Sequence, residues 1–305
     1  MTEITASAVK DLRDRTGAGM MDAKKALVET NGDMEAAVDY LRKKGLAKAA
    51  KKASRTAAEG LVTFAVSPDN KTGAVAEVNA ETDFVGRNEQ FQQFCAVVGK
   101  AALTVNDIAA LGAQPYGNGK TIAEQLTENV ATIGENMALR RTQKLTVTNG
   151  VVAGYMHNAA APGMAKIGVL VAIEGAGDTA KLQELGKKIA MHIAAANPEC
   201  LNIADVTATA IDREKAVLRD QAAQTGKPAD VVEKMIEGRI RKYYEEVVLN
   251  EQIFIMDGET KISKLVERDA PGCKISSFVR YQLGDGIVIE ETDFAAEVAK
   301  VAAGG

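Results

Sequence analysis

Glu77-Val78-Asn79-Ala80-Glu81-Thr82-Asp83-Phe84-Val85, followed closely by Asn88-Glu89, is the stretch on which the fold turns. An alternating strand pattern ends near residue 80, and Asn88-Glu89 opens a helix. Just upstream, Gly60 begins a run over residues 61–66. Ser67-Pro68-Asp69-Asn70-Lys71-Thr72-Gly73 separates it from the run over 74–80. Two alternating runs joined by turn formers predict a hairpin, and the helix follows directly from its second strand. Between strand and helix stand a carboxylate and a large aromatic, Asp83 and Phe84. Soluble domains bury Phe and solvate Asp, so one reading is a contact tip offering one apolar and one anionic group. The other is that Phe84 closes its own core and Asp83 caps a helix. The residues leave both open. The tetrapeptide returns as Glu291-Thr292-Asp293-Phe294 between strand-like and helix-like runs, which fits an internal duplication or chance.

Upstream, cap and glycine signals predict three short helices. Thr5 or Ser7 caps the first, with Val9 and Leu12 inward and Gly17 as its stop. Asp22 caps the second, with Ala23, Ala26 and Leu27 inward and Gly32 after it. Asp33 caps the third, with Met34, Ala37, Val38 and Leu41 inward and Gly45 as its stop. Met20 and Met21 begin the second helix after Gly17-Ala18-Gly19. Neighbours there point apart, so at least one is a free, adaptable apolar contact.

Downstream, helices are expected over residues 88–103 and 122–140, and strands over 144–157 and 167–173. A long helix over 178–196 is closed by Asn197-Pro198. Helices over 212–224 and 229–248 flank Gly226-Lys227-Pro228. Val232, Met235, Ile236, Ile240, Tyr243 and Val247 form a narrow stripe on the second. That describes an antiparallel coiled-coil hairpin, about 30 Å long, packing on little but itself. Pairing with a second copy, packing on the core and reaching a partner are all open to it. Strands over 276–283 and 287–289 and a helix over 293–302 close the chain. Clustered strands and clustered helices make the fold class α+β. Its expected units are 1–56 (three helices plus a basic linker), 57–142 and 143–290 (two halves of a core, the second carrying the hairpin at about 211–250), and 291–305 (a C-terminal helix).

Composition excludes several classes. Three cysteines in 305 residues, far apart and odd in number, argue for a reduced, cytoplasmic protein without disulfide framework or zinc knuckle. No apolar run approaches the roughly 20 residues of a membrane span, and Met1-Thr2-Glu3-Ile4-Thr5 lacks a signal-peptide layout. The net charge of −4 is uneven. Residues 1–45 balance, residues 46–56 carry Lys48, Lys51, Lys52 and Arg55 with no acid, and the rest stands at −8. This is no nucleic-acid-binding composition. The basic segment reads as a solvated Ala/Lys-rich helix or linker, with RNA contact as its alternative.

Catalytic signals are weak. Gly117-Asn118-Gly119-Lys120-Thr121 resembles the end of a phosphate loop, but position 114 is Gln and a helix precedes it instead of a buried strand. His157 and His192 stand on different elements with no ligand-spaced partner, and His192 reads as a core or rim residue. No Gly-x-Ser-x-Gly or paired catalytic carboxylate is marked. No metal or cofactor is expected, and a binding or regulatory protein is favoured over an enzyme.

Thr16-Gly17-Ala18-Gly19-Met20-Met21-Asp22, with Lys24-Lys25-Ala26-Leu27, closely resembles a motif of the bacterial translation elongation factor Ts family. So do Asn79-x-Glu81-Thr82-Asp83-Phe84-Val85, Met191-His192-x-Ala194-Ala195, Gly226-Lys227-Pro228 and Lys234-Met235-x-Glu237-Gly238-Arg239, in the same order over nearly the whole chain. The resemblance implies a three-helix module of the ubiquitin-associated type, a two-part core, a coiled-coil insertion and a C-terminal helix. It implies a non-enzymatic guanine-nucleotide exchange factor that binds elongation factor Tu in its GDP-bound and nucleotide-free states. Thr82, Asp83, Phe84 and Val85 would enter beside the partner's magnesium site. Arg13, Met20 and Met21, with the C-terminal helix, would contact its nucleotide domain. One departure is the extended segment 158–165 after Tyr155-Met156-His157, which puts any partner contact there in doubt. The competing readings are an RNA- or peptide-binding adaptor built on the N-terminal helices, and a nucleotide hydrolase using residues 117–121.

Overall fold

The computed structural model describes residues 4–223 and 229–288. The chain opens with α1 (Ala6–Thr16), α2 (Met20–Glu29) and α3 (Met34–Lys52). Thr5 Oγ1 caps α1 by accepting from the Ala8 amide at 3.2 Å, and Gly17 ends it at φ 66°. Asp33 caps α3. Val9, Leu12, Ala23, Ala26, Leu27 and Ala37 form the small core of this module.

Two expectations here are corrected. Asp22 is not a cap: α2 begins after Gly19, and Asp22 lies in its first turn. Its carboxylate receives Lys44 Nζ at 2.6 Å and Lys48 Nζ at 3.0 Å. Those bonds hold its carboxyl below the usual range. Nor does Gly45 stop α3, which runs on to Lys52 and absorbs most of the basic segment. The glycine serves packing instead. A Cβ there would lie 3.2 Å from Ala131 Cβ, so its absence lets α3 cross close over a later helix.

Next come β1 (Glu59–Val66) and β2 (Thr72–Ala80), the expected hairpin, with Leu61 opposite Val78 and Thr63 opposite Ala76. A short 3-10 turn over Val85–Arg87 leads to α4 (Glu89–Ala102), capped by Asn88. Then follow α5 (Ile108–Gly112), the small strands β3 (Pro115–Gly117) and β4 (Lys120–Thr121), and α6 (Ile122–Ile133). The expected helix to residue 140 is cut short. Gly134 takes φ 93° and ends α6, and the chain turns into β5 (Met137–Thr146), paired along β2. The expected strand over 144–157 is correspondingly two elements, β5 and then β6 (Gly150–His157).

β7 (Met164–Ala165) and β8 (Ile167–Glu174) precede the long α7 (Thr179–Ala196), which Asp178 caps and Asn197 closes at φ 47°. α8 (Ala208–Ala223) and α9 (Ala229–Val247) make the hairpin, with a private core of Leu218, Ile236 and Ile240. Gly226-Lys227-Pro228 lies outside the described residues. α10 (Ile262–Asp269) and β9 (Lys274–Gln282) follow. Ile287 and Val288 do not continue as a strand, because Gly284 and Gly286, at φ 74° and 75°, turn the chain away first. Ile289, the repeated tetrapeptide and the C-terminal helix expected over 293–302 fall outside the described residues.

Every strand pair is antiparallel among the described residues, in sheets ordered β5-β2-β1-β7, β6-β8-β9 and β3-β4. Mixed helix and antiparallel sheet is α+β architecture. Phe91, Phe94 and Val98 of α4 cover one face of the first sheet. Leu182, Leu185 and Ile189 of α7, with Ile262 and Leu265 of α10, cover the second. Their inner faces meet through Val62, Val75, Leu145, Val152, Leu170 and Val279. The approach is close: a Cβ on Gly154 would stand 2.9 Å from the Phe64 ring. The extended segment 158–165 folds back onto β1 as β7, where the Phe64 amide donates to Gly163 O at 3.1 Å. It thereby covers what would be an open sheet edge.

Candidate partner-binding site

After Ala80 the chain leaves β2, and the polar residues that follow are gripped one by one. The Asn136 amide donates to Glu81 Oε1, and Arg55 Nη1 lies 3.5 Å from Glu81 Oε2. Thr82 donates twice to Glu135, from its amide to Oε2 at 2.9 Å and from its hydroxyl to Oε1 at 2.7 Å. The amides of Gly86, Arg87 and Asn88 then return to the carbonyls of Asp83, Phe84 and Val85 at 3.2, 3.1 and 2.9 Å. Gly86 is buried against Gly60 O, 3.3 Å from where its Cβ would stand, so no larger residue fits without displacing the backbone.

This frame sorts the four expected contact residues. Thr82 is half-buried and held. Asp83 and Phe84 face out, and the Phe84 side chain, 73% exposed, is anchored only through its backbone. The nearest cation to Asp83 is Arg87, at 3.7 Å and itself exposed. Val85 is corrected: at 3% exposure it belongs to the first core, where it roots the turn. The helix cap is Asn88, whose Oδ1 accepts from Phe91 N at 3.1 Å. The reading of Asp83 as a cap and Phe84 as core therefore falls. Leaving a Phe in water forgoes roughly 1.5–3 kcal/mol that burial would recover.

A second exposed apolar group starts α2. Met20 and Met21 are 50% and 78% exposed, and Arg13 on α1 is exposed as well. The loop before them abuts the end of α6, where a Cβ on Gly17 would lie 3.7 Å from the Thr132 methyl. Thr132 Oγ1 also receives Gln90 Nε2 at 3.2 Å, from the first turn of the helix that follows the tip. The end of α6 thus touches both the loop before Met20 and the helix that follows the tip.

The sequence reading missed one residue of consequence. Glu77, within the opening stretch, is fully buried between the sheets. Burial alone pushes its carboxyl up, but hydrogen bonds from the Gly284 amide (2.8 Å), Asn79 Nδ2 (3.0 Å), Arg140 Nη1 (2.9 Å) and Arg141 Nε (2.6 Å) bring it below its ordinary value. Arg140 and Arg141 reach on to the carbonyls of Asp285 and Gln282, and the Arg141 guanidinium lies 4.2 Å from the centre of the Tyr281 ring. The site fastens the end of β9 to β2. Its signal in the sequence is the adjacent Arg140-Arg141 pair, which a helix expected over 122–140 conceals.

The other candidates resolve as structural. His192 is buried, accepts from the Ile255 amide at Nδ1 (3.3 Å) and so donates from Nε2 to Gln252 Oε1 (2.8 Å). Desolvation holds its pKa below the usual value, so the ring is a neutral core bridge. Residues 117–121 form a tight β3–β4 turn, with positive φ at Gly117, Asn118 and Gly119. Lys120 there pairs with Glu128. Among the described residues, no three His, Cys, Asp or Glu are grouped to hold a metal, and no helix is long and apolar enough to cross a membrane.

Together these features define an α+β protein with a three-helix module and an exposed, hydrogen-bonded tip on a two-sheet core. The elongation factor Ts family profile matches residues 81–285. Elongation factor Ts of Rhodospirillum centenum is 61% identical, over 99% of this chain and 100% of its own length. That of Rhodospirillum rubrum is 59% identical over 98% of each chain, and that of Sphingopyxis alaskensis 58% over 99% of each. The chain belongs to the elongation factor Ts family, a family of translation elongation factors.

Proposed function

We propose that this chain is a guanine-nucleotide exchange factor, acting in the cytoplasm on the translational GTPase elongation factor Tu. The observation that carries the reading is Phe84, exposed beside Asp83 on a turn whose backbone is fixed on both sides. A GTPase holds its nucleotide with backbone amides, a lysine and a bridging magnesium ion. Phe84 enters an apolar gap near that ion while Asp83 brings negative charge toward the phosphate side, weakening the ion's hold. Met20, Met21 and Arg13 dock the nucleotide domain, so the tip arrives already oriented and little of its contact energy is spent on ordering. The factor binds the nucleotide-free partner more tightly than the loaded one. By linkage, incoming GTP expels the factor by the same ratio. No bond is made or broken, so the protein acts as a binding catalyst of release and is not an enzyme of covalent chemistry.

The test is release of a fluorescent GDP analogue from elongation factor Tu in excess unlabelled GDP. Saturable acceleration by this chain is expected. Folded protein that leaves the release rate unchanged refutes the proposal.

A further inference from the structure

Three consecutive residues after α6 connect the tip to the N-terminal module. Gly134 O accepts from Lys52 Nζ at the end of α3. Glu135 takes both donors of Thr82, amide and hydroxyl, in a two-point clamp. Asn136 gives its amide to Glu81 and its side-chain Nδ2 to Arg55 O at 2.7 Å, just beyond α3. The residue beside Asp83 and the helix whose module carries Met20 and Met21 are therefore held by one short piece of backbone. Gly134 at φ 93° fixes the turn that places it.

We propose that Glu135 is a positioning residue for exchange. Through the Thr82 clamp it sets the direction in which Asp83 and Phe84 leave the core, in register with the module that docks the partner. The inference rests on the exchange reading and assigns a role to a residue outside the motifs that carry the family resemblance. A carboxylate suits the task because both oxygens accept, and charge-assisted bonds are shorter and stronger than neutral ones. Glutamine can reproduce the geometry: its Oε1 accepts the Thr82 amide and its Nε2 donates to the hydroxyl oxygen. Alanine can reproduce neither bond.

The experiment compares the full-length chain with Glu135→Ala and Glu135→Gln. It measures release of the GDP analogue over a range of factor concentrations, alongside hydrogen exchange of the Thr82 amide in the free protein. A net hydrogen bond is worth on the order of threefold, so the two bonds of the clamp together are worth on the order of tenfold. Glu135→Ala is expected to lower the saturating release rate about tenfold while the half-saturating concentration stays within about twofold. Glu135→Gln restores most of the rate, and Glu135→Ala costs clearly less in a Phe84→Ala background than in the unmutated chain, the remainder acting through Asp83. Should Glu135→Ala fold poorly, Thr82→Val removes only the hydroxyl bond and is expected to cost about threefold at saturation. An unchanged saturating rate in Glu135→Ala overturns the proposal. So does equal impairment of the Gln and Ala variants, or an additive effect with Phe84→Ala. If the unmutated chain does not accelerate release, the exchange reading itself has failed. Hydrogen exchange still decides the clamp: a faster Thr82 amide in Glu135→Ala alone supports it, and an unchanged one refutes it.

Discussion

Truncating Phe84 separates the cost to the partner complex from the cost to the fold. The side chain is 73% exposed and makes none of the core contacts that Val85 and Phe91 make. Phe84→Ala should therefore change folding stability by no more than about 0.5 kcal/mol, the usual range for a surface position. In the complex the phenyl group passes from water into an apolar gap, which is worth roughly 1.5–3 kcal/mol. Taking about 2 kcal/mol, expressed at the step where nucleotide leaves, predicts a fall of about thirtyfold in the second-order constant for exchange. The assay is stopped-flow release of a fluorescent GDP analogue at subsaturating factor, with thermal melts of both proteins by circular dichroism as control. Matched melts and a large kinetic loss would fit a wedge supplied by the side chain. Matched melts with exchange within about twofold of the unmutated chain would refute it and leave Asp83, or the module alone, to explain release.

Replacing both Met20 and Met21 by Ser should raise the half-saturating factor concentration about tenfold with little change in the saturating rate, opposite to the pattern expected for Glu135→Ala; a loss confined to the saturating rate would contradict a docking role. Removing the Glu77 carboxylate, as in Glu77→Leu, leaves Arg140 and Arg141 facing an apolar side chain and should cost about 3–5 kcal/mol in urea denaturation at neutral pH. The Glu77 carboxyl lies below its ordinary value of 4.5 in the fold, so its contribution is complete above about pH 4.5 and is lost as pH falls through the lower native value. The melting temperature of the unmutated chain should drop in that acid window, and the drop should shrink in Glu77→Gln. Gly45→Leu should lower the melting temperature and open residues 53–58 to protease, because a Cβ already lies 3.2 Å from Ala131 and overpacking costs about 1–3 kcal/mol; a higher melting temperature would show that the α3–α6 crossing can relax.

Much of the architecture was legible because its signals are local. A cap such as Asp33 or Asn88 bonds three residues ahead, a hairpin loop such as 67–73 closes on itself, and Asp178 and Asn197 bracket α7 from its two ends. The tip was legible as a juxtaposition of residue types, Asp83 beside Phe84, but exposure had to decide between contact and core, and exposure is set by distant groups such as Glu135 and Gly60. Two of the errors turn on a single glycine each. Gly45 and Gly134 look alike in sequence. One stays inside a helix and lets α3 pack closely on Ala131, whereas the other takes φ 93°, a left-handed conformation that glycine adopts without a Cβ clash, and ends α6. Misreading Gly134 hid β5, and with β5 went the Arg140-Arg141 pair and the reason for a buried Glu77. The same glycine also places Glu135 against Thr82, so the decision that escaped local reading is the one that orients the tip. A helix continued to residue 140 would carry Glu135 on along α6, with no residue left to turn back toward Thr82. The stop at Gly134 thus belongs to the construction of the binding tip as much as to the fold.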